Sequence, residues 1–176
     1  MKAHIPTANP VITIPEEIKN SSKQIKFSYL AMRNLIYAYR INIKDSSAAE
    51  NFAISLTNNF GLVCEEHNIK MFKNDEERDN LFKLICSFDR NVLNRNEHII
   101  MLYRQLRPHK GTTKEQLLTL YCQVMLECAF QMDNGILTEL IVTSVYDELM
   151  KKMLIQSNDT MRKFFVNDIV DTFNKL

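Results

Sequence analysis

Glycine and proline are scarce in this chain. Its 176 residues include three glycines and four prolines, and three of the prolines lie within the first fifteen residues. Because these residue types interrupt helices and shape irregular loops, their scarcity predicts a helical protein with little loop in which to build an active site. The isolated glycines exclude a glycine-rich phosphate-binding loop. No serine stands in the Gly-x-Ser-x-Gly pattern of a nucleophile elbow.

Long apolar runs are also absent. The longest last only a few residues, whereas a membrane-spanning helix needs about 20. The N-terminus, Met1 to Pro6, has one lysine and no apolar stretch of signal-peptide length. We therefore expect no membrane partner and a location in the cytoplasm or nucleus.

The four cysteines predict neither disulfides nor a metal site. Each lies in a helical apolar pattern, where a reduced thiol acts as a small hydrophobic group, and a domain of this size does not need disulfides. Cys122 and Cys128 are six residues apart and face different sides of a helix, so they do not complete a zinc site with Cys64 and His67. We expect Cys64 to be a buried thiol and His67 to be a surface histidine beside it. No cofactor is expected.

What the chain does contain is one helical pattern after another. Apolar residues recur at i, i+3 and i+4, and we predict an all-α domain over 16–176 after an extended N-terminal arm over 1–15. The architecture expected is a single-domain antiparallel bundle or a stack of helical hairpins. The seven predicted helices cover about 16–41, 47–67, 74–92, 96–107, 112–132, 136–155 and 158–176. The fifth is apolar on most faces, so we expect it at the centre of the core.

Charge is distributed in blocks along the chain. The net charge is +1, but residues 1–44 and 80–114 each carry +5, whereas 45–79 carry −5 and 115–176 carry −4. Two interpretations remain open. The blocks are solvated faces that partly neutralise one another, or they form a charge-complementary binding surface.

The segment 90–114 is the candidate contact for nucleic acid or an acidic partner. Its cations are Arg90, Arg95, Arg104, Arg107, Lys110 and Lys114. Such a cluster suits phosphate contacts and salt-dependent binding. The nearly neutral chain argues against a dedicated nucleic-acid binder.

Aromatic residues on the first and last helices are candidate contacts for a protein partner. They are Tyr37, Tyr39, Phe164, Phe165 and Phe173. Helical domains commonly offer grooves or apolar strips to other polypeptides, and surplus apolar surface on terminal helices also suits a homodimer. Ordinary core packing is the alternative for each of these residues.

Two short segments resemble motifs of the apoptosis-regulating Bcl family. Asp133-Asn134-Gly135-Ile136-Leu137, which enters a hydrophobic helix, resembles that family's Asn-x-Gly motif. Ile155-Gln156-Ser157-Asn158 before Phe164-Phe165-Val166 is similar to its next motif. The resemblance implies a helical bundle whose groove captures an amphipathic helix, and it assigns no binding residue here.

The sequence therefore favours a non-enzymatic interaction module, an adaptor or regulator that docks another protein or a second copy of itself. Three alternatives remain: a nucleic-acid-binding helical domain that uses 90–114, a Bcl-like apoptosis regulator, and a small enzyme whose site is assembled from distant helices.

Overall fold

The computed structural model describes residues 12–42, 46–87, 97–108 and 110–176. Over these residues the protein is all-α, as predicted, with no strand. A short 3-10 helix, Glu16–Ile18, precedes seven α-helices. They are α1 (Lys23–Asn42), α2 (Ser46–Glu66), α3 (Asp75–Cys86), α4 (Glu97–Gln105), α5 (Lys114–Gln131), α6 (Glu139–Lys152) and α7 (Asp159–Asn174).

The end of the predicted N-terminal arm is described from residue 12. Ile12 and Ile14 are half-buried against the core, and an Arg33 guanidinium nitrogen of α1 lies 3.4 Å from the Thr13 carbonyl oxygen. Residues 1–11 of the arm lie outside the described residues. The first predicted helix begins later than expected, because the chain forms the 3-10 turn before α1 starts at Lys23.

Side-chain caps determine where several helices begin. Asn74 caps α3, and Asn158 caps α7, at the residues where these two helices were predicted to begin. The capping box of α5 is formed by Thr113 and Gln116, one residue after the predicted start of this helix at 112. Each cap satisfies a backbone N–H that has no partner within its helix.

The start of α6 was predicted three residues too early. Asn134 and Gly135 adopt φ values of 52° and 73°, and the Ile136 amide donates to the Asp133 carbonyl at 2.9 Å. This tight turn keeps Ile136 outside the helix, and Thr138 caps α6 instead.

Helix α5 lies at the centre of the core, as predicted. Nine of its eighteen residues are buried, and its contact with α1 is the most extensive helix pair. All seven helices contribute buried apolar residues to one hydrophobic cluster. Around this centre α6 packs on α7, and α2 packs on α3.

The linker between α2 and α3 is attached to the core. Residues 67–74 connect the two helices, and Met71 is buried among them. The Ser28 hydroxyl of α1 lies 3.4 Å from the Met71 sulfur. Met71 therefore attaches the linker to α1.

Candidate interaction groove

A groove of about 1000 Å³ runs between α2, the linker and α3. Its lining comes from residues 57–65 of α2, 68–74 of the linker region and 75–82 of α3. We call it the α2–α3 groove. The two helices form its walls, and the linker closes one end.

Phe72 and Phe82 form the apolar floor of the groove. Phe60 of α2 is buried beneath them, and its ring centroid lies 6.5 Å from that of Phe72 and 6.1 Å from that of Phe82. Phe72 and Phe82 are 6.3 Å apart and only half-buried. On the α2 wall, Leu62 is 60% exposed. The groove therefore presents bulky apolar side chains to whatever enters it.

The rim of the groove is charged. Glu65 projects from α2, and the Arg78 guanidinium of α3 lies 3.7 Å from Asp75 and 3.4 Å from Asp79. Lys70 and Lys73 stand at the linker end. An apolar floor with a charged rim is the usual anatomy of a protein-binding site.

Gly61 leaves the α2 wall without a side chain. It lies in the middle of a 21-residue helix, where glycine costs roughly 0.5–1 kcal/mol relative to alanine. A Cβ atom added there would meet the Phe82 ring at 3.5 Å, which is an ordinary contact. Packing within the chain therefore does not require this glycine, although its presence widens the groove.

Gly61→Ala should raise the free energy of unfolding by about 0.5–1 kcal/mol, because alanine suits a helix interior and its methyl group fits. Urea unfolding followed by circular dichroism checks this. Gly111→Ala is the matched control: a Cβ there meets nothing within 4 Å, but φ is 77°. That variant should be destabilised by backbone strain. If the two substitutions changed the free energy of unfolding equally, the assignment of helix propensity to Gly61 and backbone strain to Gly111 would be wrong.

Four helices meet in a partly buried polar network. The Tyr121 hydroxyl of α5 donates to Asp168 Oδ2 of α7, and His98 Nε2 of α4 lies 3.8 Å from the same oxygen. Asn34 Nδ2 of α1 is 3.2 Å from His98 Nδ1. Burial would raise the pKa of Asp168, but the His98 ring and the Tyr121 hydroxyl lower that pKa by more, so the carboxyl stays below its ordinary value. The network connects helices through one carboxylate.

The structure corrects two of the aromatic residues proposed as partner contacts. Phe165 and Phe173 are 0% and 5% exposed, so they are core residues and offer no surface. Both are buried because their face of α7 packs on neighbouring helices: the Phe165 ring contacts Tyr121 and Tyr146, and the Phe173 ring contacts Phe27.

The other three predicted aromatic contacts are half-buried. Phe164 packs its edge on Phe165, with ring centroids 6.2 Å apart. Tyr39 stacks on Phe52 at 4.3 Å, and Tyr37 lies against the core cluster. The structure does not gather the five aromatic residues into one site.

The predicted basic cluster is only partly described. Arg90 and Arg95 lie outside the described residues. Of the remaining cations, Arg104, Arg107 and Lys110 are exposed. An Arg107 guanidinium nitrogen donates to the Arg104 carbonyl at 3.0 Å.

The last cation of this cluster is engaged within the protein. Lys114 Nζ lies 5.0 Å from the centroid of the Tyr103 ring. The Tyr103 hydroxyl in turn donates to Glu115 at 2.7 Å. A carboxylate therefore lies among the cations.

The cysteines have the environment predicted for structural thiols. All four are free, three are buried, and Cys86 is half-buried. Burial raises the pKa of Cys64 to about 11 and that of Cys128 to about 12. His67 is exposed beside the buried Cys64. Among the described residues, no three potential ligands converge as a metal site would require.

The remaining exposed apolar residues do not converge. Ile136 and Leu140 lie at one end of α6, and Met153 and Leu154 at the other, about 20 Å apart at 1.5 Å per residue. Within the part of the chain that the structure describes, no helix has the length and hydropathy of a membrane span.

The groove residues were missed in the sequence. Leu62 lies off the apolar stripe of α2 that contains the buried Leu56, Phe60 and Cys64, and Phe72 lies in a linker. An apolar residue off its helix stripe was the available signal, because such a residue must either be exposed or meet another element.

Comparison of the sequence and the structure with known proteins finds no relative. No protein-family model, no curated protein and no solved structure matches the chain. The resemblance to the Bcl family therefore rests on the sequence segments alone.

Proposed function

We propose that this protein is a non-enzymatic interaction module that docks another polypeptide in the α2–α3 groove. The observation that carries the proposal is the half-buried floor of Phe72 and Phe82 beside the 60%-exposed Leu62. Exposed bulky apolar groups that converge in a concave site are typical of protein contacts. Such a module acts as an adaptor or regulator by binding its partner.

The environment of the thiols supports a location in the cytoplasm or nucleus. Four free cysteines suit a reducing compartment, and this is the location we propose. The occupant of the groove is a segment of another protein or of a second copy of this chain.

Leu62→Ser should weaken partner capture about tenfold or more, because a central apolar anchor contributes over 1 kcal/mol to binding. Leu62 is mostly exposed, so the free energy of unfolding should change by less than about 0.5 kcal/mol. The measurement is quantitative pull-down by the tagged full chain from nuclease-treated native lysate, read by mass spectrometry. Light scattering of the purified protein tests self-association.

Ile54→Ser is the matched control. Ile54 lies on the same helix, is 50% exposed, and does not line the groove. A partner lost with Leu62→Ser and kept with Ile54→Ser supports docking in the groove. A partner kept by both variants, or lost equally from both, contradicts it. Partners that disappear with nuclease would instead point to the cations of 104–114.

A further inference from the structure

We infer that the segment docked in the α2–α3 groove carries basic residues on both sides of its apolar anchors. The inference rests on the proposed function and adds the chemistry of the partner. It comes from the charges that line the groove and from the net charge of α2, the linker and α3.

Each helical wall carries one net negative charge where it lines the groove: Glu65 on α2, and Asp75 and Asp79 against Arg78 on α3. The whole of helix α2 contains three carboxylates and no lysine or arginine, of which only Glu65 lies at the groove. Helix α3 contains four carboxylates against Arg78 and Lys83. With the two linker lysines, the segment 46–86 keeps three net negative charges in a chain of net charge +1. The helical hairpin is therefore an acidic region of a nearly neutral protein.

Arg78, the cation that α3 contributes to the described lining of the groove, is already paired. Arg78 lies between Asp75 and Asp79, so these three side chains together leave one negative charge. Within the described ranges, Glu65 on the opposite wall has no ion-pair partner. A docked segment therefore meets a net negative charge on each side, which favours lysine or arginine flanks.

The linker end of the groove has the opposite sign. Lys70 and Lys73 line it, and neither has an ion-pair partner within the described part of the chain. A carboxylate of the docked segment, or the carbonyl end of a docked helix, suits this position. The groove therefore favours basic flanks along the walls and negative charge at the linker.

Two synthetic peptides of 18 residues provide the probe. They share apolar residues at helical spacing, and their flanking positions are lysine in one and glutamate in the other. Fluorescence anisotropy with the full chain should show the lysine peptide binding about tenfold more tightly at low salt, the effect of two or three exposed ion pairs. The preference should shrink at high salt, because screening shortens the reach of surface charges.

Variants of the groove walls and of the linker test which charges cause the preference for the lysine peptide. Glu65→Gln with Asp79→Asn should weaken binding of the lysine peptide severalfold, whereas Lys70→Gln with Lys73→Gln should strengthen it. Leu62→Ser should weaken both peptides, which confirms that they occupy the groove. Circular dichroism verifies that each variant is folded.

The outcomes separate this inference from the proposed function. If both peptides bind equally, or the glutamate peptide binds better, while Leu62→Ser still weakens them, the charge preference is wrong and groove docking stands. If neither peptide binds more tightly than about 1 mM, the inference is overturned. The pull-down with Leu62→Ser then tests independently whether a partner docks in the groove.

Discussion

Phe165→Ala should lower the free energy of unfolding by about 3–5 kcal/mol, which is the cost of removing a buried aromatic ring. The side chain is 0% exposed. Its ring lies edge-to-face with Tyr121 and Tyr146, each at a centroid distance of 5.3 Å. Alanine leaves a cavity at the junction of three helices, and a close-packed interior relaxes into such a cavity only in part. Urea unfolding followed by circular dichroism measures the loss.

Phe164→Ala is the matched control for this prediction. Phe164 is the adjacent residue on α7 and is only half-buried, so the same truncation should cost clearly less. An unchanged m-value would show that both variants unfold from an intact native state. Equal costs would mean that burial does not distinguish these neighbours. Loss of partner binding in Phe165→Ala would indicate that the protein is unfolded, because the Phe165 ring is buried and cannot contact a partner.

The helices were predictable because their signals are local. Asn74 followed by acidic residues specifies the start of α3, since a side-chain cap and negative charge both suit a helix N-terminus. The central position of α5 was predictable from its apolar residues on most faces. Boundaries were less secure: Thr112 and Thr113 offer the same hydroxyl, and only the path of the chain selects Thr113 as the cap.

The candidate site was not predictable in the same way. Whether Phe164 or Phe165 faces the core depends on the rotation of α7 against α5 and α6, and both belong to one apolar stripe. The α2–α3 groove is bordered by a linker whose Met71 packs against Ser28, 43 residues earlier in the chain. A contact between residues so far apart in the sequence leaves no local pattern. The segment 45–79, however, was already recognisable as acidic, and it forms most of the groove.

Asp168→Asn should destabilise the protein by about 1–2 kcal/mol at pH 7. The Tyr121 hydroxyl donates to the Asp168 carboxylate, and hydrogen bonds to charged groups contribute about 1.5–3 kcal/mol. A side chain 31% exposed should lie in the lower part of that range. Asparagine keeps the shape and one acceptor. Its amide, however, brings N–H donors towards His98 Nε2, which carries the ring proton if Asn34 donates to Nδ1.

The loss should depend on pH with a definite sign. The pKa of Asp168 is lower in the folded protein than its ordinary value of 3.8, so the unfolded chain binds this proton more readily. Its contribution is fully present above that ordinary pKa and disappears as pH falls through the lower folded pKa. Wild type and Asp168→Asn should therefore converge in stability at acidic pH. Urea unfolding from pH 7 to pH 2.5 measures the difference.

Asp147→Asn controls for a carboxylate outside the network. Asp147 accepts two hydrogen bonds from Arg162, at 2.8 and 2.7 Å, and they lower its pKa. Because this pair lies between exposed side chains, salt screens it, and its effect should fall in 1 M salt. The effect of Asp168→Asn should persist in salt, since its partners are buried. A difference between wild type and Asp168→Asn that stays constant down to pH 2.5 would show that the ionised carboxylate does not hold these helices together.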